Sequence, residues 1–271
     1  MPAIELTLNQ IICGDNCEVM RTFPSESIDL VVTSPPYDNL RTYSAGKPMS
    51  ELWDFEGVAQ QLWRIIKPGG VVAWVVSDAT VDGSETGTSF RQALRFMDIG
   101  FRLHDTMIWE KVDPKPGDGK VRYHDAWEYM FVLSNGRPST CSLLRDVPSV
   151  NAGSKYTKNW DRRRNEKAEG VDRKEWIQPK FSYRRNIWKT LHGGNQPDLV
   201  ALRHPACFPE ALARDHILSW SNEGDIVLDP FAGSFTTCKM AKLMGRKWIG
   251  IEVNPEYCEI GKDRMDQQVL F

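Results

Sequence analysis

The stretch 224-GDIVLDPFAGSFTTCKMAKLMGRKWIGIEVN-254 reads as strand, glycine turn, helix, strand. The first strand, Asp225 to Leu228, runs into Asp229-Pro230-Phe231-Ala232-Gly233-Ser234, and the second, Trp248 to Ile251, delivers Glu252. This order predicts one βαβ half of a nucleotide-binding sheet. Gly233, lacking Cβ, lets a ligand approach the backbone, and an acidic residue ending the second strand can accept hydrogen bonds from both ribose hydroxyls. Glu252 lies 23 residues after Asp229, a fitting separation, yet one glycine is not the GxGxxG pattern of a dinucleotide site. A cofactor with a ribose and no phosphates suits the turn better. S-adenosyl-L-methionine (SAM) is the candidate, because a carboxylate such as Asp229 attracts a sulfonium or ammonium and repels phosphate. The plainer alternative is an ordinary strand-turn-helix.

Working toward the N-terminus, 31-VVTSPPYDNL-40 shows a β-branched strand stopped by Ser34, Pro35, Pro36 and Tyr37. Two prolines lack N–H groups and fix φ, so they end the ladder and hold the chain extended. Ser34 Oγ and neighbouring carbonyls are thereby presented as acceptors beside an aromatic ring. Around this turn strand-like and helix-like patterns alternate: LTLNQIICGD (6–15) and SIDLVVTS (27–34) read as strands. Leu52, Phe55, Ala59, Leu62 and Ile66 recur at helical spacing before Lys67-Pro68-Gly69-Gly70 stops the helix. VVAWVVSD (71–78) reads as a strand inside a parallel sheet, Ser89 to Met97 as a helix, and 101–111 and 127–134 as two further strands. Asp78, ending one of these strands, is a candidate to face a ligand ammonium or a base. A further helix is expected from Pro209 to about Trp220.

Between Asn135 and Asn186 the periodicity dissolves into Arg, Lys, Asn, Ser, Pro and isolated Trp. The whole chain carries a net charge of −2, which alone argues against a nucleic-acid partner. From Gly136 to Thr190, however, 14 Lys and Arg stand against 6 Asp and Glu, a net of +8, which leaves −10 for the remainder. That asymmetry marks a polyanion-binding patch or, in the bland reading, a solvated loop. The six cysteines are scattered without CxxC spacing, which predicts reduced thiols and no metal site. The start Met1-Pro2-Ala3-Ile4-Glu5 lacks a signal-peptide pattern and no apolar run suggests a span, so the expected setting is intracellular, in the cytoplasm.

Taken together, VVTSPPY, then LDPFAGSFTT, then IGIEVN resemble the amino-group DNA methyltransferases of the β class, in which the catalytic motif precedes the SAM-binding motif. Cys13-Gly14-Asp15, LWRIIKPGG (62–70), SDAT (77–80) and HPACFPEAL (204–212) sit where that family has its smaller motifs. The resemblance implies an α/β fold: a Rossmann-like SAM-dependent methyltransferase sheet with helices on both faces and circularly permuted motif order. It divides the chain into a catalytic half (1–135), a basic target recognition insert (136–190) and a SAM-binding half (191–271). It implies SAM bound by Asp229, Phe231, Gly233 and Glu252 within the turn that includes Pro230, Ala232 and Ser234, with Asp15, His204, Pro205 and Phe208 as further candidates. Ser34, Pro35, Pro36 and Tyr37 would be catalytic. The serine hydroxyl and Pro35 carbonyl would accept the N–H bonds of an exocyclic amine while Tyr37 stacks on a flipped base. A serine at the first motif position favours cytosine N4 over adenine N6. C5 methylation is disfavoured, since no cysteine lies in or beside the turn. Double-stranded DNA is the implied partner, contacted by Arg162, Arg163, Arg164, Arg184 and Arg185; a homodimer and a cognate restriction endonuclease are open associations. A non-catalytic DNA-binding relative, and a glutamine or RNA methyltransferase, are the alternatives; the motif order speaks against the latter.

Overall fold

The computed structural model describes residues 6–36, 53–112, 122–157, 160–161, 166–167, 175–190 and 198–267. They form two compact units, Leu143–Arg185 and the rest. The larger unit is built on an eight-stranded sheet. Its strands in chain order are β1 (Gln10–Cys13), β2 (Ile28–Thr33), β3 (Ile66–Val76), β4 (Arg102–Lys111), β5 (Trp127–Ser134), β6 (Ile187–Thr190), β7 (Ile226–Asp229) and β8 (Lys247–Glu252). Across the sheet they lie in the order β1-β8-β7-β2-β3-β5-β4-β6. Only β5 runs against the others, pairing antiparallel with both β3 and β4. Ile28, Leu30, Val31 and Val32 on β2 and Val72 to Val75 on β3 are fully buried, as continuous apolar strands covered on both faces must be.

The main-sheet helices are α1 (Asn16–Arg21), α2 (Phe55–Ile65), α3 (Thr88–Ile99), α4 (Glu210–Trp220), α5 (Thr236–Leu243) and α6 (Pro255–Asp266). α2 buries Val58, Ala59, Leu62 and Ile65; of the expected stripe Ala59 and Leu62 are on this face, Phe55 is half-buried, Ile66 opens β3, and Leu52 lies outside the described residues. Trp74 of β3 is fully buried in an aromatic cluster with Phe96 of α3, and its indole N–H donates to Gln92 Oε1 at 2.9 Å.

The chain moves outward from β2 to β3 in one direction and from β7 to β8 in the other, so the order reverses between β2 and β7. In an open α/β sheet, a crevice opens at such a reversal beyond the carboxyl ends of the strands. Ser34, Asp229 and Glu252 all stand at that edge.

Two expectations need correction. The helix does end just before Lys67-Pro68-Gly69-Gly70, at Ile65, but the strand expected from Val71 already begins at Ile66 and takes that run into β3. Gly69 takes φ +79° and Gly70 passes close to the Asp29 carbonyl, which permits a register irregularity against β2 between Ile28 and Leu30. Residues 187–190, placed in the basic insert by their composition, form edge strand β6, parallel to β4 with Trp188 opposite Trp109.

The smaller unit consists of short antiparallel pairs: Val147–Pro148 with Phe181–Ser182, Lys155–Thr157 with Glu175–Ile177, and Trp160–Asp161 with Glu166–Lys167. Arg145 lies over the Tyr183 ring at 4.0 Å and donates to its hydroxyl at 2.6 Å. Tyr156 and Trp176 face each other across one ribbon and are exposed.

Candidate active site

The turn after β7 is held from three sides. Gly233 adopts φ +50°, and a Cβ there would meet the His204 ring at 3.1 Å, so a larger residue would be strained and crowded. Its N–H donates to Glu252 Oε2 at 2.9 Å, while Glu252 Oε1 accepts from Asn254 N–H at 2.9 Å. Burial raises the Glu252 carboxyl above the usual range, opposed by those backbone donors. The carboxylate is thus fixed in place with acceptor capacity to spare. From below, Arg264 of α6, with its side chain wholly buried, donates to the Ser234 carbonyl at 2.5 Å and to Thr236 Oγ1 at 2.8 Å. Its charge is met by Asp198 at 3.0 Å and Glu210 at 2.6 Å, both of which also bind Lys239. Burial works against the Asp198 carboxylate. Hydrogen bonds from Lys239 and Gln267 and the Arg264 charge outweigh it and hold the group well below its ordinary value.

Phe235, the N-cap of α5, has φ +60°, a left-handed conformation costly for a bulky residue. Its ring is fully buried against Gly250 of β8 and Gly261 of α6, where any added Cβ would fall within 2.6 Å and 2.4 Å of ring carbons.

Asp229 is the residue where the two turns meet. It is 5% exposed, and its Oδ1 accepts from Thr33 Oγ1 at 2.7 Å and from Phe231 N–H at 3.1 Å. Burial pushes its carboxyl up to about 6, with Glu252 adding to the rise and the bonds from Thr33 and Phe231 opposing it. Thr33 immediately precedes half-buried Ser34 and buried Pro35. Asn16 Nδ2 donates to the Pro230 carbonyl at 3.1 Å, fastening the start of α1 to the same turn.

These pieces line one cavity of about 500 Å³, in the range of small-ligand sites. Ser34, Pro35 and Pro36 lie on its wall with Asp15, Asp229 through Ser234, Glu252, His204 and Phe208. Asp15 is also the N-cap of α1, accepting from Glu18 N–H at 2.9 Å. His204 is 7% exposed and meets Tyr257 edge-on at 4.3 Å. Tyr37 and Arg162 to Arg164 lie outside the described residues. Arg184 pairs with Asp146, and Arg185 is exposed. Asp78 does other work: its oxygens accept from Ser89 N–H at 2.9 Å, Ser89 Oγ at 2.5 Å and Thr86 Oγ1 at 3.3 Å, so it caps α3.

Sequence reading missed Asn16, Trp53, Trp109, Glu128 and Tyr257 on the cavity wall. Trp53 meets Phe231 edge-on at 4.9 Å, and Glu128 is paired with Lys111 at 2.9 Å with both side chains only 10% exposed. For Asn16 and Tyr257 the signal was adjacency to Asp15 and Glu252; the others are brought in by β4, β5 and the segment before α2, without a motif.

A family described as DNA methylase matches residues 28–263. The orphan methyltransferase M.BamHII of Bacillus amyloliquefaciens is 50% identical over 249 residues, covering 90% of this chain and 91% of the relative. Among solved structures, PvuII DNA methyltransferase (cytosine-N4-specific) superposes with TM-score 0.73 at 23% identity, over 100% of this chain and 90% of that one. TTHA0409 of Thermus thermophilus, complexed with S-adenosyl-L-methionine, has TM-score 0.61 and 26% identity over 94% and 93% of the two chains.

Proposed function

The chain belongs to the N6/N4 DNA methylase family, and from that premise we propose that it transfers a methyl group from SAM to the N4 amine of a cytosine flipped out of duplex DNA. One observation carries the reading: a single cavity holds both the Ser34-Pro35-Pro36 turn and the Gly233/Glu252 turn.

The donor set fits SAM. Glu252, braced by two backbone N–H groups, offers its remaining acceptor sites to the ribose hydroxyls. Phe231, Trp53 and Tyr257 give aromatic walls for the adenine, and His204 and Phe208 border the same space. Asp15 and Asp229 supply negative charge for the ammonium and sulfonium. When bound, SAM supplies an electrophilic methyl group. The protein's part is to make the amine a nucleophile. Ser34 Oγ and the Pro35 carbonyl accept its two N–H bonds, which draws the nitrogen toward tetrahedral geometry and turns its lone pair outward. The prolines keep these acceptors from reorganising, and Tyr37 stacks on the base.

A hydroxyl in place of a carboxylate at position 34 supports cytosine over adenine. The described part of the smaller unit supports a DNA contact, with Arg185, Lys155, Lys180 and Trp176 all exposed. Residues 162–164 belong to the same reading, in which residues 136–190 recognise the target. The protein acts in the cytoplasm, and the resemblance to an orphan methyltransferase favours an enzyme without a cognate endonuclease over a paired one. Mass spectrometry of nucleosides from DNA methylated by the purified protein is the test. N4-methylcytosine is the expected product. N6-methyladenine would reassign the base, and the absence of both products would overturn the catalytic reading.

A further inference from the structure

We infer that Thr33 is a positioning residue for methyl transfer: its bond to Asp229 sets the spacing between the turn that receives the amine and the turn that receives the methyl donor. This rests on the methyltransferase reading above. Backbone pairing between β2 and β7 covers Leu30 opposite Val227 and Val31 opposite Leu228. The reacting turns begin beyond it, at the point where the sheet order reverses. There the 2.7 Å bond from Thr33 Oγ1 to Asp229 Oδ1 continues the tie, supported by Thr237 Oγ1 donating to the Val32 carbonyl at 3.0 Å. The same Asp229 oxygen accepts from Phe231 N–H, so one atom is shared by the two turns.

Thr33 is fully buried and is not on the cavity wall. A buried strand position with no ligand to touch is suited to valine, and a buried hydroxyl is retained at a cost unless its hydrogen bond is used. In-line displacement gives that bond its use, since reacting atoms must be held within about 3–3.5 Å and misplacement by about 1 Å costs roughly 10²-fold. Among the described residues, the titratable groups that face Asp229 are Glu252 from β8 and Cys238 from α5, while β2 contributes the neutral Thr33 hydroxyl.

The test compares wild type, Thr33→Val and Thr33→Ser in methyl transfer at saturating SAM and DNA, with calorimetric SAM affinity, melting temperature and the kcat–pH profile. Thr33→Val should lower kcat by about 10- to 100-fold with SAM affinity within about threefold, and Thr33→Ser should restore most of the rate. Because the lost bond stabilises the carboxylate, the acid limb of kcat should move to higher pH in Thr33→Val. Wild-type kcat in Thr33→Val, or equal impairment in both variants, overturns the inference. Should Thr33→Val not fold, Thr33→Cys is read by the same criteria. Wild type assayed alongside separates the failures: no transfer by wild type removes the methyltransferase reading and this inference with it, whereas an active wild type matched by Thr33→Val removes this inference alone.

Discussion

Asp229 keeps a carboxylate where burial opposes it. Its folded-state pKa of about 6 lies above the ordinary 3.8. As pH rises from 3.8 the unfolded chain releases this proton first, so stability falls up to about pH 6 and stays at the lower level above it. Asp229→Asn keeps the oxygen that accepts from Thr33 and Phe231 while removing the charge. It should therefore raise the melting temperature at pH 8 and weaken SAM binding, a pair of opposite effects read by scanning fluorimetry and calorimetry. An unchanged melting temperature would mean that the charge carries no such penalty. At the other turn, Ser34→Ala should reduce kcat by roughly 10²-fold through the loss of one preorganised acceptor, leaving SAM affinity within a few-fold; turnover at the wild-type rate would sink the amine-acceptor role. Ser34, Asp229 and Glu252 were legible in the sequence because a strand end, a proline or glycine turn and a polar residue fall in consecutive positions. The Thr33 partnership was not, since it joins residues 196 positions apart and Thr33 by itself looks like an ordinary strand-end residue.

The helices show where local sequence suffices and where it does not. The apolar spacing of α2 gave its existence, its end and part of its buried face, while the early start of β3 depended on Gly69 and Gly70, whose conformations are set by tertiary neighbours. Asp78 illustrates the same limit. Its place at a strand end suggested a ligand, but the N-cap of α3 is Gly87, which has no side chain to satisfy the first helical N–H groups, and Asp78 supplies the acceptor from across the loop. Asp78→Ala should destabilise the protein by about 1 kcal/mol or somewhat more, measured by urea denaturation, with no loss of SAM affinity. A loss of binding without a loss of stability would return Asp78 to the site. In α4, His216 is fully buried, with its Nε2 3.4 Å from the Met130 sulfur. Burial pushes its pKa down to about 3 from 6.5. Below pH 6.5 the unfolded chain takes up the proton first, so this contribution to stability is whole above pH 6.5 and declines toward pH 3. Melting curves across that window should show the decline, and His216→Leu should flatten it.

At the scale of the molecule, composition located the second unit from charge alone, and its edges fell where side chains stop reading as strand or helix. The compact unit is narrower, Leu143–Arg185, because Ile187–Thr190 satisfies its backbone on β4, a pairing that a basic, Trp-containing stretch does not advertise. If that unit grips DNA through its cations, affinity should fall with salt at a slope of about −0.9 per phosphate contact. Replacing Arg162 to Arg164 by alanine should flatten the slope without altering SAM binding; an unchanged slope and unchanged site preference would assign those arginines to solvent. The larger unit carries a different constraint, inherited rather than chemical. The Phe235 ring occupies room left by two missing Cβ atoms on Gly250 and Gly261. In any lineage descended from this fold, neither glycine is free to acquire a side chain while the phenylalanine persists, and a phenylalanine cannot arise there before both glycines do. Three positions on three separate elements are therefore tied in a fixed order, and comparison across distant descendants should find the phenylalanine only where both glycines are present.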